Sequence, residues 1–103
     1  MSVLLNFAIF PTDKGDSVSK YVSEVIRYIN KSSYPYQLTS MGTIVETANL
    51  DQALEIINNS YRILEPYSDR VYITSTIDIQ KNKKNRINNK IKSIEDKIGI
   101  INK

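Results

Sequence analysis

A ferredoxin-like α+β sandwich, βαββαβ over a four-stranded antiparallel sheet with an additional C-terminal helix, follows from three features of the sequence. Two stretches, 3–10 and 71–79, alternate along the chain in the manner of strands. Two others, 18–29 and 51–65, repeat apolar residues every three or four positions, which is helical spacing. Between the helices lie two short β-forming runs with little more than Met41-Gly42 to join them, and so close a connection forces antiparallel pairing. Elements in this order form two β-α-β units on one sheet, with both helices on one face and right-handed crossovers.

The first strand, "VLLNFAIF", sets Val3, Leu5, Phe7 and Ile9 on one face and Leu4, Asn6, Ala8 and Phe10 on the other. The first set is the more apolar and is predicted to meet the helices. Pro11 ends the strand, and "PTDKGDS" reads as a turn-rich connection. Ser17 is placed to cap a helix that runs through Val18, Tyr21, Val22, Val25, Ile26 and Ile29. Ser32, Ser33 and the pre-proline Tyr34 stop it. Strands at 36–40 and 43–48 form the hairpin. The second helix, 51–65, repeats through Leu54, Ile57, Tyr61 and Leu64, with Asn49 or Asp51 as cap and Pro66 beyond its end. After a "YSDR" turn, "VYITSTIDI" places Val71, Ile73, Ser75, Ile77 and Ile79 on one face and Tyr72, Thr74, Thr76 and Asp78 on the other. A basic loop, "KNKKNR", leads to a helix over 87–98, whose stripe of Ile87, Ile91, Ile94, Ile98 and Ile101 needs a cover, either by folding over the same subunit or, the favoured reading, by packing on a partner subunit.

At 103 residues the chain is expected to be a single domain, 1–103, with the core sandwich in 1–80 and the basic loop and terminal helix in 81–103. An apolar fraction of 41% with 24% charged residues suits a water-exposed globular protein. No apolar run approaches the ~18 residues of a membrane span, so no membrane partner is expected. "MSVLLNFAIFPTDKG" lacks a basic leading segment and is broken by Asn6 and Pro11, so it reads as a strand and not a secretory leader. The absence of Cys and His excludes disulfides, thiolate metal sites, serine-histidine triads and histidine-bound zinc. No nucleophile-base pair can be assembled, so no catalytic residues, no enzyme activity and no metal are expected, and the location is expected to be cytoplasmic. The net charge of +3 is uneven: residues 1–80 carry six Lys/Arg against nine Asp/Glu, and 81–103 carry eight against two. Scattered Lys and Arg on the wet side of a helix account for the basic tail. Nucleic acid is disfavoured as a partner because the central strands lack the basic-aromatic run of an RNA-binding sheet. Lys14-Gly15 ahead of Ser17 lacks the glycine spacing of a phosphate loop.

The face of the sheet away from the helices is predicted to carry Leu4, Asn6, Ala8, Phe10, Ile44, Glu46, Tyr72, Thr74, Thr76 and Asp78. That mixture is too apolar for water alone and too polar for a plain core. It suits a sheet-to-sheet homodimer with polar pockets at the junction. Glu46 has two readings: an exposed strand carboxylate, or a desolvated one that requires an Arg, Thr, water or ligand donor. Thr39, Met41 and Thr43 are likewise either turn and strand residues or ligand contacts.

"FAIFP", "SVSKYV", "YQLTSMGTIVE", "SDRVYITSTIDI" and the Arg86–Ile98 tail, taken in order, resemble the small thiamine-binding proteins of the YkoF-like group over nearly the whole chain. The resemblance implies a ferredoxin-like subunit that forms homodimers through its sheets, and commonly homotetramers, and that binds thiamine or its hydroxymethylpyrimidine half as carrier or sensor. No other cofactor is implied. On that basis Asn6, Thr39, Thr43 and Glu46 would satisfy the aminopyrimidine, Met41, Ile44 and Tyr21 would contact the ring faces, and Gly42 would bind the ligand beside them. A carboxylate would also attract the cationic thiazolium. The alternative is an oligomeric assembly module with no small ligand.

Overall fold

The computed structural model describes residues 1–102. Strands β1 (Ser2–Pro11), β2 (Tyr36–Thr39), β3 (Gly42–Thr47) and β4 (Val71–Gln80) form one antiparallel sheet in the order β2-β3-β1-β4. Helices α1 (Val18–Lys31) and α2 (Leu50–Leu64) are the two crossovers, and α3 (Arg86–Ile98) follows β4. This is the ferredoxin-like α+β arrangement predicted above. β1 lies between β3 and β4, and its registers place Leu5 opposite Val45 on one side and Ile77 on the other.

The apolar face of β1 is buried as its alternation requires: Val3, Leu5, Phe7 and Ile9 pack with Val45, Val25, Ile29, Ala53, Ile56 and Leu64 in one cluster. Each large side chain taken fully from water contributes about 1.5–3 kcal/mol, so these positions dominate the fold's stability. β4 is at an edge, and there the helices give less cover. Val71 and Ile77 are half-buried, while Ile73 and Ile79 remain exposed.

Three local expectations are corrected. In α2 the buried stripe is Ala53, Ile56, Ser60 and Leu64, whereas Leu54 and Tyr61 are exposed and Ile57 is half-buried. Both stripes have helical spacing; the small Ala53 and Ser60 let the helix backbone approach the sheet. Ser17 makes no side-chain capping bond, because its backbone (φ −88°, ψ 32°) is not in the extended conformation a capping side chain needs. Asn49, by contrast, is extended, and its side chain accepts from the Gln52 N–H at 2.9 Å. Ile101 leaves the α3 stripe: the helix ends at Ile98, and Gly99 at φ +92° turns the chain away. The Ile101 N–H instead donates to Glu95 at 3.2 Å.

Gly42 answers to contact and not to backbone freedom. A Cβ at this position would sit 3.0 Å from the Phe7 carbonyl oxygen and 3.1 Å from Asn6 Oδ1, so the hairpin reaches β1 only without a side chain there. Thr39 completes the turn, donating to the Gly42 carbonyl at 2.9 Å and accepting from the Met41 N–H at 3.2 Å.

Candidate functional site

β1 pairs with β4 from Ser2 to Pro11, but with β3 only from Val3 to Phe7. Past Phe7 the edge of β1 that faces the hairpin has lost its neighbour, which leaves main-chain hydrogen-bonding groups free to meet a ligand or water. A groove of about 250 Å³ opens at this point. One wall is Ala8–Phe10 of β1, another is Val18, Val22 and Ile26 of α1, and the rim is the hairpin turn from Leu38 to Thr43. The helical spacing that buries Val25 and Ile29 sets Val18, Val22 and Ile26 nearer the helix margin, where they are half-buried. The result is an apolar slot with hydroxyls from Thr39, Ser40 and Thr43 at one end. Such a slot can hold a flat ring and hydrogen-bond its edge.

The site residues expected from the sequence divide into four places. Thr39, Met41, Gly42 and Thr43 line the groove together. Asn6 and Ile44 lie on the open face of the sheet, in a shallow depression with Leu4, Thr76 and Asp78. Met41, 91% exposed, spans the two regions, because it also borders a depression with Asn6 and Thr74–Thr76. Tyr21 stands apart from the groove, with its ring 5.7 Å from that of Tyr67.

Glu46 is in neither depression. At 7% exposure it is not the solvent-facing strand carboxylate of the first reading. Its partners are protein donors: the Ser2 hydroxyl at 2.6 Å, the Arg86 N–H at 2.9 Å and the Ile87 N–H at 3.2 Å. The carboxylate thus satisfies first-turn amides of α3, where a negative charge also complements the helix dipole. Burial pushes its pKa up, but the bonds from Ser2, Arg86 and Ile87 and the charge of Arg86 outweigh that and hold it below the usual value. The Arg86 guanidinium completes the joint, donating to the Ser2 carbonyl at 2.9 Å, the Asp78 carbonyl at 2.6 Å and Asp78 Oδ2 at 2.9 Å.

The sequence reading missed Ser2 and Arg86 as partners of Glu46, and it took Val18, Val22 and Ile26 for core. The only signal for the former was the lone acidic residue in β3, which demanded a donor without saying which. A second, larger depression of about 530 Å³ gathers basic residues of the tail, Lys83, Lys84, Arg86 and Lys90, beside Leu4 and Asp78. Among the described residues no helix is long and apolar enough to cross a membrane, and no group of three acidic, His or Cys side chains is placed to hold a metal ion.

A family described as thiamine-binding protein matches residues 5–95. Among curated relatives, a UPF0045 protein of Methanocaldococcus jannaschii is 35% identical over 92 residues, covering 89% of this chain and 91% of that protein. A UPF0045 protein of Methanothermobacter thermautotrophicus is 31% identical over 83 residues, covering 80% and 84%. The crystal structure of the Methanocaldococcus protein matches with a TM-score of 0.77 over 90% of this chain and 95% of that one. A Thermotoga maritima protein provisionally assigned to thiamine biosynthesis or salvage shares the fold, with a TM-score of 0.78 at 17% identity over 91% of this chain and 99% of that one.

Proposed function

The chain belongs to the thiamine-binding protein family, and from that premise we propose that it binds thiamine or its hydroxymethylpyrimidine half, without transforming it, in the groove between α1 and the β2–β3 hairpin. The observation that carries the reading is the coincidence of four expected contacts, Thr39, Met41, Gly42 and Thr43, on one apolar slot beside an unpaired stretch of β1. An aminopyrimidine is flat and carries donors and acceptors only around its rim. In this reading the Val18, Val22 and Ile26 wall takes its face, and Thr39, Thr43 and the free edge of Ala8–Phe10 take its amino group and ring nitrogens. Glu46 acts at one remove, by fixing the start of α3.

The same reading places the protein in the cytoplasm as a carrier or sensor that works as a homodimer or homotetramer. The open face supports this, since Leu4, Ala8, Phe10 and Ile44 are only half-covered and Tyr72 is exposed. So does α3, in which no residue is fully buried.

Isothermal titration of the full chain with thiamine, its phosphates and hydroxymethylpyrimidine tests the proposal. Saturable heat that weakens in Thr43→Val supports it. Absence of saturation with all of them, or affinity indifferent to Thr43 and Val22, overturns the site.

A further inference from the structure

Three lysines of the basic tail come together on one depression. The chain leaves β4 at Gln80, and Asn85, in the left-handed region at φ 53° and ψ 41°, turns it into α3. Lys83 and Lys84 before that turn and Lys90 after it therefore border the same hollow of about 530 Å³, together with Leu4 and Asp78 of the sheet. Asn89 ties the loop to the helix, donating from its side-chain amide to the Lys84 carbonyl at 3.1 Å. The hollow shares no lining residue with the groove beside the hairpin.

The cations of this hollow differ in what they have left to donate. Arg86 is committed to the protein: Nε donates to the Ser2 hydroxyl, Nη1 to Asp78 Oδ2, and Nη2 to the Ser2 and Asp78 carbonyls. Lys83, Lys84 and Lys90 are exposed, and among the described residues none of them is paired with a carboxylate. Asp78, the one acidic residue of the lining, is already engaged by Arg86 at 2.9 Å. Four cations against one carboxylate leave a surplus of three positive charges, and a concave surface with such a surplus concentrates anions.

The donors narrow the class of anion. A planar carboxylate is best met by the fork of an arginine, and the only arginine here is occupied; the compact, rotatable ammonium groups of lysine suit the spread oxygens of phosphate. Three free ammonium groups exceed what one phosphate neutralises, and the hollow has the volume of a small-molecule site, about 300–1,000 Å³. No aromatic ring lines it: Phe10 and Tyr72 stack six positions along the strands from Leu4 and Asp78, or about 20 Å away. Without a stacking ring, a basic surface favours a compact phosphate over single-stranded nucleic acid. We propose that this hollow binds a condensed phosphate, a chain of two or more phosphate units, through Lys83, Lys84 and Lys90, while Arg86 holds the start of α3 in place beneath them.

Isothermal titration of the full chain with sodium phosphate, pyrophosphate and triphosphate tests the site. Saturable binding is expected that tightens from phosphate to triphosphate and weakens with added salt. Adenosine diphosphate in place of pyrophosphate distinguishes a phosphate ester from the free anion, and saturable binding of either supports the site. The variant Lys83→Ala/Lys84→Ala/Lys90→Ala should bind pyrophosphate about tenfold more weakly, or worse, from the loss of hydrogen bonds between charged groups. Lys81→Ala/Lys92→Ala/Lys97→Ala removes the same charge from the same tail outside the hollow and should bind nearly as the wild type does. Equal losses in the two variants would reduce the effect to general attraction and overturn the site, as would no saturation with pyrophosphate or triphosphate. Retention on single-stranded RNA or on phosphatidylserine vesicles that needs the three lysines and is not displaced by pyrophosphate would also overturn it. The inorganic probes carry no ring for the groove, and hydroxymethylpyrimidine carries no phosphate for the hollow, so failure here and failure of the ligand reading are distinguishable.

Discussion

Glu46 and Arg86 are forty residues apart in sequence, yet the Arg86 N–H donates to the Glu46 carboxylate at 2.9 Å, which fastens the start of α3 to β3. Ser2 shares the joint, donating its hydroxyl to Glu46 at 2.6 Å and accepting from Arg86 Nε at 3.0 Å. The carboxylate that looked most like a ligand contact is thus held by donors of the protein itself.

Replacing that charge tests the assignment. Glu46→Gln should destabilise the chain by about 1.5–3 kcal/mol, the usual worth of hydrogen bonds to a charged group, read as a lower urea midpoint. It should leave affinity for the ligand unchanged, because Glu46 does not line the groove.

Acid should weaken the wild-type chain for the same reason. A carboxyl whose folded pKa is depressed stabilises fully above its unfolded value, near ~4.3 for Glu, and that contribution disappears as pH falls through the lower folded value. Both Glu46 and Asp13 are shifted down, Asp13 by the Ser68 hydroxyl and the Asp69 N–H first. Thermal melting between pH 6 and pH 3 should therefore show falling stability, with a shallower fall in Glu46→Gln. Equal slopes would remove Glu46 from the joint.

Gly42→Ala should cost about 1–3 kcal/mol, the range for overpacking a filled site, because the new methyl group meets the Phe7 carbonyl at 3.0 Å. The hairpin would have to draw away from β1, so denaturant unfolding and ligand titration should both record the change. An unaltered midpoint would mean that the turn has slack.

Val22→Trp should fill the groove from the α1 side. Circular dichroism should remain that of the wild type while saturable binding is lost, and retained affinity would move the ligand elsewhere, most directly to the open-face depression of Asn6 and Ile44.

Ser60 is fully buried in α2, and its hydroxyl has no hydrogen-bond partner in the structure. Ser60→Ala removes that unpaired group, and a gain of about 1 kcal/mol is expected from the desolvation no longer required. Differential scanning calorimetry would detect it; a loss of stability would mean that the lost oxygen leaves a cavity that costs more.

Periodicity along the chain was sufficient for the element order, the hairpin and the face that β1 buries, since a two-residue or 3.6-residue repeat is a local property that packing need only ratify. It was insufficient wherever two stripes had equal claim. Leu54, Ile57 and Tyr61 repeat as well as Ala53, Ile56 and Ser60 do, and only the closeness of α2 to the sheet chose the smaller set. The hairpin residues Thr39, Met41, Gly42 and Thr43 were singled out by the family resemblance, and the structure brings all four to one groove. The other half of the groove was not, because it exists where the β3 ladder stops short of the end of β1. Glu46 makes the distinction plainest: the sequence by itself determined that a carboxylate in an apolar strand must find a donor. Only the tertiary structure, by folding the chain back across the sheet, decided that the donors are Ser2 and the first amides of α3.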